Sequence, residues 1–151
     1  MIMKEIIENF YTAFNNKNAE KMIELYHEDV IFEDPAFGKL QGDKAKKMWR
    51  MLCNNAKDLK VNFSQVEANH NNGKAQWEAW YTFSKTGRRV HNIIDAEFEF
   101  KDGKIIKHTD HFNLHRWASQ ALGWQGKLLG WTSFFKKKLQ KQTNSLLHKF
   151  Q

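Results

Sequence analysis

An α+β fold is predicted for this chain: a cone-shaped, curved antiparallel sheet with N-terminal helices packed on its concave face, plus an additional C-terminal helix. Three observations predict it. Apolar residues recur at helical spacing in the first third of the chain and again after Leu114. Between Leu59 and Phe112 they alternate with period two, as on strands with one buried face. Turn signals separate the alternating runs at His70-Asn71-Asn72-Gly73, Lys85-Thr86-Gly87 and Lys101-Asp102-Gly103-Lys104. Helices followed by hairpin-linked strands make an α+β order, and helices over one face of a curved sheet leave a pocket between the layers.

Over residues 3–16, Ile6, Phe10, Ala13 and Phe14 share a helical face, with Ile7 and Tyr11 beside them, until Asn15-Asn16-Lys17-Asn18 breaks the pattern. A second, short helix places Met22, Leu25 and Tyr26 on one side. Residues 29–34 alternate as a strand, Val30 and Phe32 opposite Ile31 and Glu33, and Pro35 and Gly38 end it. Gly42-Asp43 opens a third helix with Asp43 as its N-cap and a stripe of Ala45, Met48, Trp49, Leu52 and Ala56. Leu59, Val61 and Phe63 then alternate, and Val66 and Ala68 continue in the other parity, which predicts a bulge. Strands follow through Ala75, Trp77, Ala79, Tyr81 and Phe83, through Val90 to Phe100, and through Ile106, His108, Asp110 and Phe112. A helix is expected from about Leu114 to Leu122. Gly123, Gly126 and Gly130 punctuate a loop, and Thr132 or Ser133 caps a last helix with Phe135, Leu139, Leu146 and Phe150 on one side.

A chain of 151 residues is one domain by prior and buries roughly 70% of its unfolded surface. An aromatic share of 14% argues against disorder. The net charge of +7 is unevenly placed. All 17 acids lie between Glu5 and Asp110, whereas Arg116, Lys127, Lys136, Lys137, Lys138, Lys141 and Lys149 follow with no acid among them. The body is thus neutral and the end basic, which weakens a reading of the whole as a nucleic-acid binder; no nucleic acid is expected as partner. The single cysteine, Cys53, excludes an internal disulfide and a thiolate zinc cluster and reads as a packed core thiol. The charged start is no secretory signal and no apolar run approaches the roughly 18 residues of a membrane span, so a cytoplasmic location is expected. Neither His-x-x-x-His, His-Glu-x-x-His nor a phosphate-binding glycine loop occurs, and no metal or cofactor is expected.

The ordered set Phe10-Tyr11, Met22, Leu25-Tyr26, Asp29-Val30, Phe32-Glu33-Asp34-Pro35, Gly38 and Gly42 resembles the start of the nuclear-transport-factor-2-like superfamily, and Phe100-Lys101-Asp102-Gly103-Lys104-Ile105 resembles its late hairpin. Within it the chain is most similar to SnoaL-like proteins, the group that includes polyketide cyclases. The resemblance covers about residues 5–123. It implies a pocketed cone over 1–123, with 124–151 as a basic amphipathic extension, a closed-ended apolar pocket for a small apolar molecule, and a homodimer. It does not imply one reaction, because members include isomerases, cyclases, epoxide hydrolases, dehydratases and non-catalytic binding domains.

Strand parity identifies polar groups on apolar faces. Asp34 shares a face with Val30 and Phe32, Asn92 interrupts the apolar positions of the Val90–Phe100 strand, and His108 and Asp110 share a face with Phe112. Buried polar groups need partners, which are one another, a water or a ligand. On the functional reading these four do acid–base work: Asp34 or Asp110 as base, His108 as proton shuttle, Asn92 as donor to a developing oxyanion. On the structural reading they form a network that closes the cone and sets strand register. Tyr11, Phe14, Tyr26, Phe32, Met48, Trp49, Trp77, Tyr81 and Phe112 are the expected pocket lining. Steroid isomerases of the superfamily use an aspartate base with a tyrosine and a protonated aspartate as oxyanion hole. Asp34 matches the base, but Phe10 falls at the tyrosine and Ala96 at the second aspartate, so that reaction is not the leading reading. In SnoaL-type cyclases an aspartate of the late strands is the base, which points to Asp110 here.

The end of the chain has its own alternatives. Residues 131–151 read as a basic amphipathic helix with aromatic anchors, which packs on the body or a dimer partner, or lies on an anionic membrane surface. Three functions stand: a cofactor-independent enzyme of isomerase, cyclase or hydrolase-type lyase chemistry, a non-catalytic pocket for an apolar ligand, and an adaptor whose last helix contacts a membrane or a partner.

Overall fold

The computed structural model describes residues 2–151. In chain order the elements are α1 (Met3–Asn15), α2 (Ala19–Glu24), β1 (Tyr26–Asp34), β2 (Gly38–Gln41), α3 (Asp43–Asn55), β3 (Lys60–Ala68), β4 (Asn72–Phe83), β5 (Arg88–Lys101), β6 (Lys104–His111), α4 (Leu114–Leu122), α5 (Trp124–Leu129) and α6 (Ser133–Lys149). The six strands form one sheet in the order β2-β1-β6-β5-β4-β3. This is the expected α+β arrangement, with one correction. The sheet is mixed rather than antiparallel, because β1 runs parallel to β6, with Phe32 beside His108 and Glu33 beside Thr109. Alternation reports which face a residue takes but not the direction of its neighbour strand.

The amphipathic helices form as their spacing requires. In α1 the buried side chains are Ile6, Ile7, Phe10, Tyr11, Ala13 and Phe14; in α3 they are Ala45, Met48, Trp49, Met51 and Cys53. Both helices press their apolar stripes onto the sheet in one core that also holds Tyr26, Phe32, Trp77, Ile94 and Phe98. The strand β5 is the most regular, with every second residue from Val90 to Phe100 buried. The β5–β6 turn is tight because Asp102 and Gly103 both take positive φ, 53° and 73°, as a two-residue hairpin loop demands. The bulge expected in β3 lies between Ser64 and Glu67, with Gln65 at φ 53°.

Several local expectations are corrected. Tyr26 opens β1 instead of lying on α2, and the turn after Pro35 leads into an unforeseen strand, β2. Gly42 (φ 52°), not Asp43, holds the cap position of α3, and no side chain caps that helix. A register shift between Glu99 and Phe100 turns Ile105 rather than Ile106 into the core. The glycine-rich stretch after Gly123 is not a loop: it forms α5. Thr132 caps α6 by accepting the Phe135 amide. On that helix Leu147, not Leu146, joins the main core.

The last helix is fastened to the β1–β2 turn. Gln140 Nε2, Thr143 Oγ1 and Asn144 Nδ2 donate to the carbonyls of Pro35, Ala36 and Phe37 at 3.1, 2.8 and 2.8 Å. Its apolar side spans two clusters. Leu147 and Phe150 meet the main core, while Phe135 and Leu139 pack on a second cluster of Val90, Trp117, Ala118 and Ala121 under α4.

Candidate functional site

The sheet and helices enclose a cavity of about 1110 Å³. Its wall includes ten of the thirteen side chains expected there: Asp34, Asn92 and Asp110, with Phe14, Phe32, Met48, Trp49, Trp77, Tyr81 and Phe112. Tyr11, Tyr26 and His108 do not line it. They lie one layer deeper, fully buried. The cavity also has an unforeseen side: Trp117, Leu129, Phe134, Phe135, Leu139, Thr143, Leu146 and Phe150, all from α4 to the end of α6. Four of these, Phe135, Leu139, Leu146 and Phe150, are the stripe that marks α6 as amphipathic in the sequence. Its spacing shows an apolar side but not what that side covers.

Asp110 is held from behind by a chain of hydrogen bonds. Trp49 Nε1 donates to the Tyr26 hydroxyl (2.8 Å), which lies 2.7 Å from His108 Nδ1, and His108 Nε2 lies 2.9 Å from Asp110 Oδ1. Trp77 Nε1 donates to the same oxygen at 3.3 Å. Only one proton arrangement satisfies every donor. Tyr26 accepts from Trp49 and donates to Nδ1, so the imidazole carries its proton on Nε2 and gives it to Asp110 Oδ1. The His108 ring has no room to do otherwise. Phe98, Phe32 and Phe10 stand with ring centres at 4.5, 5.1 and 5.4 Å, and Trp49 stacks on it at 6.1 Å. With both nitrogens engaged and no exposed surface, His108 orients Asp110 and does not reach a ligand. The shuttle role expected for it is therefore corrected to a positioning one.

Asp34 stands on the neighbouring strand, one residue beyond the Glu33–Thr109 pair, on the same face as Asp110. Its Oδ1 accepts the amides of Ala36 (2.9 Å) and Phe37 (2.7 Å), an Asx turn that ends β1. Burial pushes this carboxyl up to about 7; the Phe37 amide opposes the rise and the charge of Asp110 adds to it. Two carboxyls on one apolar wall thus differ in surroundings: Asp110 Oδ1 accepts two side-chain donors, while burial holds the Asp34 proton up to about 7. Asn92, opposite Ala79 in the β4–β5 ladder, is buried on the same wall. Tyr81 adds a polar group that strand alternation did not separate from its apolar neighbours: its hydroxyl accepts Trp117 Nε1 at 2.7 Å and keeps its own proton for the cavity. Among the described residues no three His, Cys, Asp or Glu side chains converge as metal ligands.

The profile of the SnoaL-like domain matches residues 7–108. The chain belongs to the SnoaL-like family. Its fold is shared by a candidate polyketide cyclase from Xanthomonas campestris pv. campestris, at 20% identity and TM-score 0.64 over 77% of this chain and 93% of that one. An LEH-like epoxide hydrolase from M. tuberculosis aligns at 17% identity and TM-score 0.66, covering 84% and 94%. A protein with a ketosteroid isomerase-like fold from Catenulispora acidiphila DSM 44928, crystallised with trimethylamine, aligns at 13% identity and TM-score 0.68, covering 78% and 92%. No curated protein sequence matches. At these identities the likeness is one of fold. The SnoaL-like match ends at residue 108, so α4, α5 and α6, which complete the cavity, lie outside it.

Proposed function

We propose that this SnoaL-like protein is an enzyme of the isomerase or cyclase type that moves a proton on a small, largely apolar molecule bearing a carbonyl group. The observation that carries the reading is the pairing, on one wall of an apolar cavity, of an anchored carboxyl, Asp110, with a carboxyl that holds its proton near neutrality, Asp34. Asp110 is the base: the Trp77 and His108 donors hold its carboxyl in place, and it takes a proton from the carbon next to the carbonyl. Charge then develops on the carbonyl oxygen. Asp34 donates its proton or a hydrogen bond to that oxygen, and the Asn92 amide supplies a second donor. Returning the proton from Asp110 to a different carbon, with any proton lent to the oxygen going back to Asp34, completes an isomerisation; attack of the enolate carbon on a second carbonyl of the same molecule, whose oxygen then takes the proton from Asp110 while Asp34 recovers its own, completes an aldol cyclisation. Neither needs a cofactor.

A panel of cyclic ketones and diketones incubated in D2O with the protein, read by mass spectrometry, tests this directly. Deuterium uptake at the acidic carbon is expected from the wild type. Asp110→Asn is expected to lower it by at least about a hundredfold, the lower range for loss of a general base, while ligand binding by fluorescence is retained. Ligand binding without exchange, equal in wild type and Asp110→Asn, would leave a non-catalytic pocket.

A further inference from the structure

Five of the eight exposed large apolar side chains among the described residues fall within residues 124–134: Trp124, Leu128, Leu129, Trp131 and Phe134, at 72, 61, 49, 72 and 72% exposed. Their exposure is built in. Helix α5 sits directly on α4, because a Cβ on Gly126 would stand 1.9 Å from the Ala118 carbonyl oxygen and one on Gly130 2.5 Å from that of Gly126. His115 Nε2 bonds the Lys127 carbonyl at 2.7 Å and ties the same seat. With Gly126 against α4, Trp124 and Leu128 point the other way, one helical turn apart. Trp131 gives its indole N–H to the Leu128 carbonyl at 3.0 Å, so its polar atom is used inside the turn and its rings face outward.

Positive charge surrounds this ridge. Lys127, Lys136, Lys137 and Lys138 belong to the same segment, and no acidic residue occurs after Asp110. Asp58, which also lines the cavity, is paired with Arg89 at 3.1 Å. The ridge also adjoins the cavity: Leu129, Phe134, Phe135 and Lys138 line it.

We propose that residues 124–138 form a docking surface for an anionic lipid bilayer, which places this side of the cavity against the headgroups. Aromatic and leucine side chains on a protruding turn enter the interfacial layer, and the flanking lysines add attraction to anionic headgroups. A second copy of the chain does not fit this face as well. Symmetric contact would set four lysines against four, with no acid in the segment itself to answer them. Single-stranded nucleic acid would use the aromatics and the lysines but not Leu128 and Leu129. Docking would let an apolar ligand pass between bilayer and cavity without crossing water, and it stands whether or not Asp110 is a base.

Sedimentation of the full chain with phosphatidylcholine vesicles, with and without phosphatidylserine, tests the surface. Binding is expected to the phosphatidylserine vesicles at low salt and to weaken as salt rises. Trp131→Ala with Phe134→Ala, and separately Lys136→Gln, Lys137→Gln and Lys138→Gln together, are each expected to weaken it about tenfold or more. Because the two aromatics are exposed, melting temperatures are expected to stay near the wild type; this separates lost docking from lost folding. The proposal is overturned if the wild type does not sediment with anionic vesicles at low salt, or if the aromatic variant binds as well as the wild type. It is equally overturned if the aromatic variant dissociates a dimer in ultracentrifugation, or if single-stranded oligonucleotides bind this face more tightly than vesicles do.

Discussion

Asp34 carries its proton to about pH 7 in the folded chain, against roughly 3.9 in an unfolded one. Between those values the folded state binds more protons than the unfolded state. Its contribution to stability is therefore full below about 4 and is lost as the pH rises through about 7. Asp34→Asn keeps an oxygen for the Ala36 and Phe37 amides and cannot ionise. It is expected to melt at a higher temperature than the wild type at about pH 8 and to show little difference near pH 4. The gain corresponds to about 1–2 kcal/mol, less than the full shift because the group is partly exposed. If Asp34 is the acid, kcat/KM falls as the pH rises past about 7, and Asp34→Asn removes that limb. The two buried tyrosines make a contrasting pair. Tyr26→Phe strands Trp49 Nε1 and His108 Nδ1 and is expected to cost about 1–3 kcal/mol in chemical denaturation. The Tyr11 hydroxyl has no partner at all, so Tyr11→Phe is expected to be neutral or stabilising by about 1 kcal/mol. At this scale strand parity located Asn92, His108 and Asp110 as polar groups among apolar ones, and all three are buried. Parity does not say which of them meets the cavity. That distinction rests on Tyr26, whose hydroxyl occupies the far nitrogen of His108 and comes from a strand 82 residues away.

Among the elements, α6 is the one whose meaning depends most on its neighbours. Its apolar stripe and its Thr132 cap are legible in the sequence, because both are local. Its three hydrogen bonds to the turn at 35–37 are not, since nothing near Gln140, Thr143 or Asn144 shows which carbonyls they face. That turn is the one Asp34 holds from the other side. Replacing Thr143 and Asn144 by alanine is therefore expected to disturb Asp34 more than the rest of the cavity. Ligand affinity measured by fluorescence should drop severalfold, and any midpoint near pH 7 that Asp34 sets in it should shift. An unchanged pH profile would separate α6 from Asp34. Leu147→Ala, which removes the one fully seated contact of α6, is expected to cost about 2–4 kcal/mol, read from denaturant midpoints. The strand β2 and the helix α5 escaped the pattern for a shared reason: four- and six-residue elements are too short to display a period.

For the molecule as a whole, two apolar clusters share Tyr81 and Phe112 at their margin and are bridged by the length of α6. This ties the layer of α4–α6 to the α1–α3 core. Heat unfolding is expected to be a single transition, with tryptophan fluorescence and circular dichroism coincident. A separate early fluorescence change would show the outer layer melting alone. The charge asymmetry agrees with this layering. The neutral part builds the sheet and its inner helices, and the basic part supplies the outer side of the cavity, so net charge says little about what the cavity wall prefers. None of the helices among the described residues is long and apolar enough to cross a membrane.

The parallel pairing of β1 with β6 has a consequence for how the protein is born. Phe32 and His108 lie side by side yet are 76 positions apart, and every strand between them leaves the ribosome first. The β1–β2 hairpin therefore emerges early and then waits, its inner edge unpaired, until nearly three quarters of the chain has been made. Long-range closure of this kind is slow, and an open strand edge is a place where nascent chains associate wrongly. Asp34 and Asp110 ride on the two strands that meet last, so the chemistry of the cavity exists only once the seam has closed.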